Sequence, residues 1–283
     1  MKQLIINGDD FGLHTAINQG IIDAFQNGCL TSVSLMAGGA AFEEASAYLK
    51  AHPQLGAGVH LTIVAGRAVL PEQEIASLVT DGHSFRNGHI DFLRDYCLGR
   101  IDMAELEREW TAQIKKVLAA GITPTHLDSH QHLHVVPGIF SLVLKLCHRF
   151  SIRAVRIPSE PVFFLGNGVF SLGRWVGKTG LAILAEHARK EAVKQGICVP
   201  DRFWGMMDGG SLNETAVLKI IDRLDEGVHE IMTHPGADNK ALETAFGWPY
   251  SWQQEKNAWV STFVRQALEK RAIKLITFRE IGS

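Results

Sequence analysis

Paired cysteines, blocks of one charge and long hydrophobic runs are all scarce in this chain. The four cysteines, Cys29, Cys97, Cys147 and Cys198, lie far apart and form no C-x-x-C pair. That spacing argues against a structural zinc knot or a disulfide framework, and free thiols in a reducing compartment are expected. Lysine and arginine are dispersed and the net charge is −2, so no basic stripe tracks a nucleic-acid backbone. No apolar run approaches the ~18 residues of a membrane span. The N-terminus shows no basic stretch followed by an apolar one, as a signal peptide would. Neither G-x-G-x-x-G nor a P-loop opens the first helix, which weakens a nucleotide-binding reading. There is no internal repeat and no linker. The 283 residues are therefore expected to form one domain, 1–283, and to be cytoplasmic.

What the chain does have is alternation. "LIIN", "LTSVSLMAGG", "LGAGVHLTIV", "PTHLDSHQHLHVVP", "IRAVRIPSE", "VHEIMTHPG" and "IKLITFREI" read as strands. Between them, "HTAINQGIIDAFQNG", "AAFEEASAYLKAHP", "MAELEREWTAQIKKVLAAG", "GIFSLVLKLCHRF", "NETAVLKIIDRL" and "EKNAWVSTFVRQALEKR" have helical periodicity. Residues 66–100 read as irregular. Repeated strand–helix units with apolar strands imply a parallel sheet covered by helices. About seven units over this length favour an α/β fold of the distorted (β/α) barrel, TIM-barrel-like kind, over an open doubly wound sheet. In such a barrel the C-terminal ends of the strands converge on one mouth, where the chemistry sits.

The strand ends are rich in groups that bind metals or move protons. Thirteen histidines are present, and His126, Asp128, His130, His132 and His134 occupy alternate positions. If the segment is extended, all five point to one face, ~6.6 Å apart along the strand. Neighbours can then share a metal ion, although all five cannot, and the middle members are favoured because the strand should end near Ser129 or His130. His60 sits in the apolar "AGVHLT", and Asp9 and Asp10 follow the first strand. Two adjacent carboxylates repel unless a cation or proton separates them. One Asp with two His is a common ligand set for a divalent catalytic ion, and a second carboxylate can then act as base on water. His234, before the turn Pro235-Gly236, is placed to donate a proton. Arg156 either orients a carboxylate or a substrate oxygen, or makes a structural ion pair. Arg156 and His132 stand as the candidate substrate contacts.

The stretches "NGDDFG", "GVHLT", "HLDSHQHLH", "VRIPSE" and "THPG" together resemble the YdjC-like (ChbG-type) carbohydrate deacetylase family, in that family's order and over nearly the whole chain. "LTSVSLMAGG", "GRAVLPEQEIASLV" and "FWGMMDGGSLNE" look most like its hopanoid-biosynthesis subfamily, HpnK. The resemblance implies removal of an acetyl group from an N-acetylated sugar with one divalent metal, Zn2+ first and Mg2+ second. It also implies Asp9 as general base, Asp10, His60 and His130 as metal ligands, and His234 as general acid. The implied substrate is an N-acetylglucosaminyl hopanoid or related glycolipid, or otherwise a chitooligosaccharide. The apolar segment 161–185 is a candidate flap for a lipid tail or a peripheral membrane contact, or else a core helix and loop. "GWPYSW", with Trp248, Tyr250 and Trp252, is a candidate sugar-stacking patch or a packed cluster. A homodimer stays open. The alternatives are a metal-dependent sugar isomerase or phosphoesterase, and a non-catalytic carbohydrate-binding protein.

Overall fold

Strands rich in Ile, Val and Leu alternate with amphipathic helices from the first residues onward. The computed structural model describes residues 1–166 and 172–281. Part of the apolar 161–185 segment, residues 167–171, lies outside the described residues. In chain order the elements begin with β1 (Lys2–Phe11), α1 (Thr15–Gln26), β2 (Ser32–Leu35), α2 (Phe42–Ala51) and β3 (Gly56–Leu61). The stretch read as irregular holds a hairpin, β4 (Val79–Asp81) with β5 (Ser84–Phe85), and a helix, α3 (His89–Cys97). Next come α4 (Met103–Ala119), β6 (His126–Ser129), α5 (Ile139–Arg149), β7 (Ala154–Val155), α6 (Leu172–Lys194) and β8 (Arg202–Trp204). The chain finishes with α7 (Glu214–Ile221), β9 (Gly227–Thr233), α8 (Asn239–Phe246), α9 (Trp252–Val260), α10 (Thr262–Lys270) and β10 (Lys274–Leu275).

The main sheet runs β7-β6-β3-β2-β1-β9-β8, with β10 added beside the start of β1. All its pairings are parallel. Its two ends meet through Cys198, on the approach to β8. The Cys198 amide donates to the Arg153 carbonyl (2.8 Å), and the Val155 amide donates to the Cys198 carbonyl (3.0 Å). The result is a distorted (β/α) barrel.

Alternation along β1 separates two environments. Leu4 and Ile6 join the large core between strands and helices. Gly8 faces the same way, and a Cβ there would lie 2.9 Å from Leu30. Ile5 points inward and joins Ala154, Ile276 and Phe278, a small apolar plug at the start of the strands. Asn7 and Asp9 continue the inward face toward the mouth.

The strand in "PTHLDSHQHLHVVP" ends where its end was expected. It ends at Ser129, and His130–Val135 form a 3₁₀ turn with Gln131 (φ 57°) and His132 (φ 58°) in the left-handed region. The five alternating side chains therefore do not share one face. The helix expected over "EKNAWVSTFVRQALEKR" is two helices, broken at Ser261. The Ser261 hydroxyl accepts from the amides of Phe263 and Val264 and so caps α10. Among the described residues no helix is long and apolar enough to cross a membrane.

Candidate active site

Asp10 follows the inward-facing Asp9 on β1 and sits at φ 64°, a conformation that Asp tolerates better than most residues. The turn lifts its carboxylate to the mouth. Asp10 Oδ1 lies 3.0 Å from His130 Nδ1 and 3.4 Å from His60 Nε2. His60 is delivered by β3, whose register pairs it with Asp128 of β6. His60 Nδ1 donates to Asp128 Oδ1 at 2.8 Å, which leaves Nε2 facing Asp10. His130 is the first residue of the 3₁₀ turn, and the Trp248 ring stacks on it at 5.7 Å.

Asp9 faces into the barrel and is 2% exposed. Arg156 grips it with both terminal nitrogens, Nη1 to Oδ2 at 2.6 Å and Nη2 to Oδ1 at 2.7 Å. Asn7 Nδ2 donates to Asp9 Oδ1 and to Ser34 Oγ, each at 2.8 Å, and Ser34 Oγ donates to Asp128 Oδ2 at 2.7 Å. Arg156 Nη1 also lies 2.7 Å from Asp128 Oδ2, and its Nε donates to Glu230 Oε1 at 2.7 Å. One guanidinium, fully buried, thus serves three carboxylates.

The charges respond to this crowding. Burial opposes the Asp10 carboxylate, but His130 and His60 hold it well below the usual range. Burial likewise opposes a charged His60, yet the Asp128 and Asp10 carboxylates carry its pKa up to about 10. Burial would neutralise Asp128, and Arg156 and His60 keep it well below the usual carboxylate value. The pocket therefore holds positive charge strongly. Its donors suit a divalent ion: one oxygen and two imidazole nitrogens, from Asp10, His60 and His130, lie within 4.8 Å of one another. Asp10 Oδ1 and His130 Nε2 are also buried without a hydrogen bond. The His60–Asp128 bond fixes the tautomer a metal-ligating histidine needs.

The family model for YdjC-like proteins matches residues 3–270. This chain belongs to the YdjC-like family. It is 32% identical over 282 residues to the carbohydrate deacetylase of Geobacillus stearothermophilus, which covers 99% of this chain and 98% of that one. It is 30% identical over 251 residues to the carbohydrate deacetylase of Homo sapiens, covering 83% and 75% of the two chains. Among solved structures it is similar to an Enterococcus faecalis V583 protein described as a cellobiose-phosphate cleavage protein. That chain is 25% identical, with a TM-score of 0.76 and coverage of 98% of this chain and 97% of that one.

In this YdjC-like chain the fold brings Asp9, Asp10, His60, His130 and Arg156 into one cluster. His234 follows β9, whose register pairs its last residue, Thr233, with Gly8, the residue before Asp9. Arg156 does not reach a substrate surface, because its nitrogens are occupied by carboxylates. Of the options open for it, its geometry matches carboxylate orientation and a structural ion pair alike. His132 packs edge-on against Phe203 at 5.7 Å, with Nδ1 buried and unpartnered. His126 stacks on Phe278 at 3.7 Å, deep in the barrel. The His134 ring bonds Ser129 Oγ and the Arg156 carbonyl, locking the turn to β7. Sequence reasoning put Asp128 in the alternating group whose neighbours could share a metal ion, without a role of its own, and gave none to Glu230 or Glu255. The available signal was an acidic residue at an inward position of an apolar strand for the first two. For Glu255 there was none, since an acid in the first turn of a helix is common on surfaces.

Proposed function

We propose that the chain is a metal-dependent hydrolase that removes the N-acetyl group from an N-acetylglucosamine-containing substrate. The carrying observation is a divalent-ion donor set, Asp10, His60 and His130, beside a separate carboxylate that Arg156 holds rigid. The carbohydrate deacetylases among its relatives support the substrate class. A divalent ion, with zinc first and magnesium second, supplies a Lewis acid that polarises the amide carbonyl and activates water near neutral pH. The chain's own residues do the rest. Asp9, fixed by Arg156 and Asn7, still has one lone pair free, on Oδ2, to accept the proton of the attacking water. His234, whose side chain is 12% exposed, gives a proton to the departing amine nitrogen. Neutral His132 offers a ring nitrogen to a substrate hydroxyl.

For the acceptor we favour a glycolipid, a glycosylated hopanoid being one such molecule. Phe163 is 96% exposed, and Leu165, Leu172 and Val176 are exposed with it. They lie on the stretch that follows β7, beyond Arg156, where an alkyl or polycyclic tail or a membrane surface would meet them. A chitooligosaccharide is the competing acceptor. A two-metal phosphoester reading would need the second donor group, Asp9, His60 and Asp128. Arg156 Nη1 already lies between Asp9 Oδ2 and Asp128 Oδ2, at 2.6 and 2.7 Å, and opposes a second cation there.

The test is acetate release from lipid-linked and oligosaccharide N-acetylglucosamine substrates, with and without chelator. Release that stops on chelation and returns with a divalent ion is expected. No release from any of them by protein carrying stoichiometric metal would sink the reading.

A further inference from the structure

Glu255, in the first turn of α9, is fully buried, although a charged carboxylate is costly to bury unless it is well bonded. Its Oε2 accepts from Thr233 Oγ1 at 2.7 Å and from the His234 amide at 2.6 Å, and its Oε1 accepts from the Leu212 amide at 3.3 Å. Trp259 Nε1 in turn donates to Thr233 Oγ1 at 2.9 Å. The carboxylate is thus clamped by three donors from two segments, the end of β9 and Leu212.

The same Oε2 lies 3.8 Å from His234 Nδ1. That nitrogen is buried and has no hydrogen-bond partner. The Tyr250 ring also lies against His234, 5.3 Å away. A Cβ at Gly210 would come within 2.4 Å of the Tyr250 ring, so the ring sits where it does because residue 210 is glycine.

We propose that Glu255 is a positioning residue for His234. It takes the Nδ1 proton of the imidazole in a hydrogen bond that a small side-chain rotation completes. This holds one tautomer and aims Nε2 toward the scissile amide. As the C–N bond breaks, the amine nitrogen keeps the bonding pair and takes the Nε2 proton of the His234 imidazolium, which returns to the neutral ring with its Nδ1 proton still in place and hydrogen-bonded to Glu255. The inference rests on the acid role of His234 proposed above.

The experiment compares the parent, Glu255→Gln and His234→Asn on two acetyl donors. One is an N-acetylglucosamine amide, whose amine must be protonated to leave. The other is 4-nitrophenyl acetate, whose phenolate leaves unaided. Glu255→Gln is expected to lose about 10- to 100-fold in kcat on the amide, with KM and bound metal unchanged. On the ester it is expected to stay near the parent rate, and His234→Asn is expected to show the same selectivity. Equal losses on both donors in Glu255→Gln would reduce Glu255 to a structural clamp and overturn the proposal. If Glu255→Gln does not fold, Thr233→Val loosens the clamp while keeping the carboxylate. A smaller loss confined to the amide supports the proposal there, and an unselective one overturns it. A parent that releases no acetate from the amide would instead count against the deacetylase reading itself.

Discussion

Asp9 and Asp10 are neighbours in the chain but meet different partners. The left-handed turn at Asp10 sends its carboxylate to His130 and His60, while Asp9 stays on the inward face against Arg156 and Asn7. Replacing one should therefore not erase the other's role. Asp9→Asn is expected to keep stoichiometric metal, read by elemental analysis, and to lose about 10²- to 10⁴-fold in acetate release. Turnover at the parent rate would remove Asp9 from the base role. Arg156 gives a different outcome, because its charge offsets Asp9 and Asp128 in a dry interior. Arg156→Met leaves those carboxylates without their cation, and a loss of ~3–5 kcal/mol is expected from urea unfolding. A change below ~1 kcal/mol would mean that water or another cation compensates them.

At the scale of elements, helices and apolar strands were legible because their signal is local. Periods of 3.6 and 2, with Gly and Pro as stops, placed α1, α2, α4, α5, β2 and β9 close to where they lie. The Asp9, Asp10, His60, His130 and His234 group was legible from the barrel rule about strand ends. The misreadings come from backbone geometry that side-chain alternation does not encode. The end of β6 was expected near Ser129 or His130, but the left-handed φ angles of Gln131 and His132, which turn the chain there, leave no mark in the alternation. The hairpin and α3 within 66–100 are short and lack a long apolar stripe. Ser261 did carry a readable cap signal, in "VSTF", that a continuous helical period masks. Contacts between strands are the least legible of all, and Gly58 shows why. It lies on β3 beside His126 of β6, and a Cβ there would come 2.3 Å from His126 Cε1. The His126 ring cannot retreat, because Phe278 stacks on it at 3.7 Å. Gly58→Ala should cost roughly 1–3 kcal/mol or more through overpacking, measured as a lower urea midpoint. An unchanged midpoint would show that the His126 ring has room to move.

The whole molecule keeps its apolar core outside the barrel, between strands and helices, and fills the upper barrel with titratable groups. Acid stability is then set by two opposed sets of buried residues. Burial pushes His126 down to about 3 and His134 to about 4 from an ordinary 6.5, and pushes His132 well below it. Burial lifts Glu160 and Glu230 to about 7 from an ordinary 4.5. Between pH 6.5 and 4.5 the unfolded chain takes up protons on the three histidines that the native state refuses. Over the same range the native state keeps protons on the two glutamates that the unfolded chain has lost. Three against two leaves about one net proton on the unfolded side, so stability falls as pH falls, by about 1.4 kcal/mol per pH unit. Smaller shifts at His229 (down) and Glu109 (up) oppose each other, and the lowered carboxylates Asp10 and Asp128 act below this window. Glu160 accepts from the Gly205, Met206 and Met207 amides, away from the Asp9–Asp10 cluster. Glu160→Gln removes one opposing group and should raise the slope to about two net protons, or ~2.7 kcal/mol per unit. Urea midpoints at half-unit pH steps, with chelator present so that metal uptake does not enter, measure both slopes. A parent whose stability rises as pH falls through this window would show that the glutamates outweigh the histidines. An unchanged slope in Glu160→Gln would show that Glu160 ionises in the folded protein much as it does in the unfolded chain.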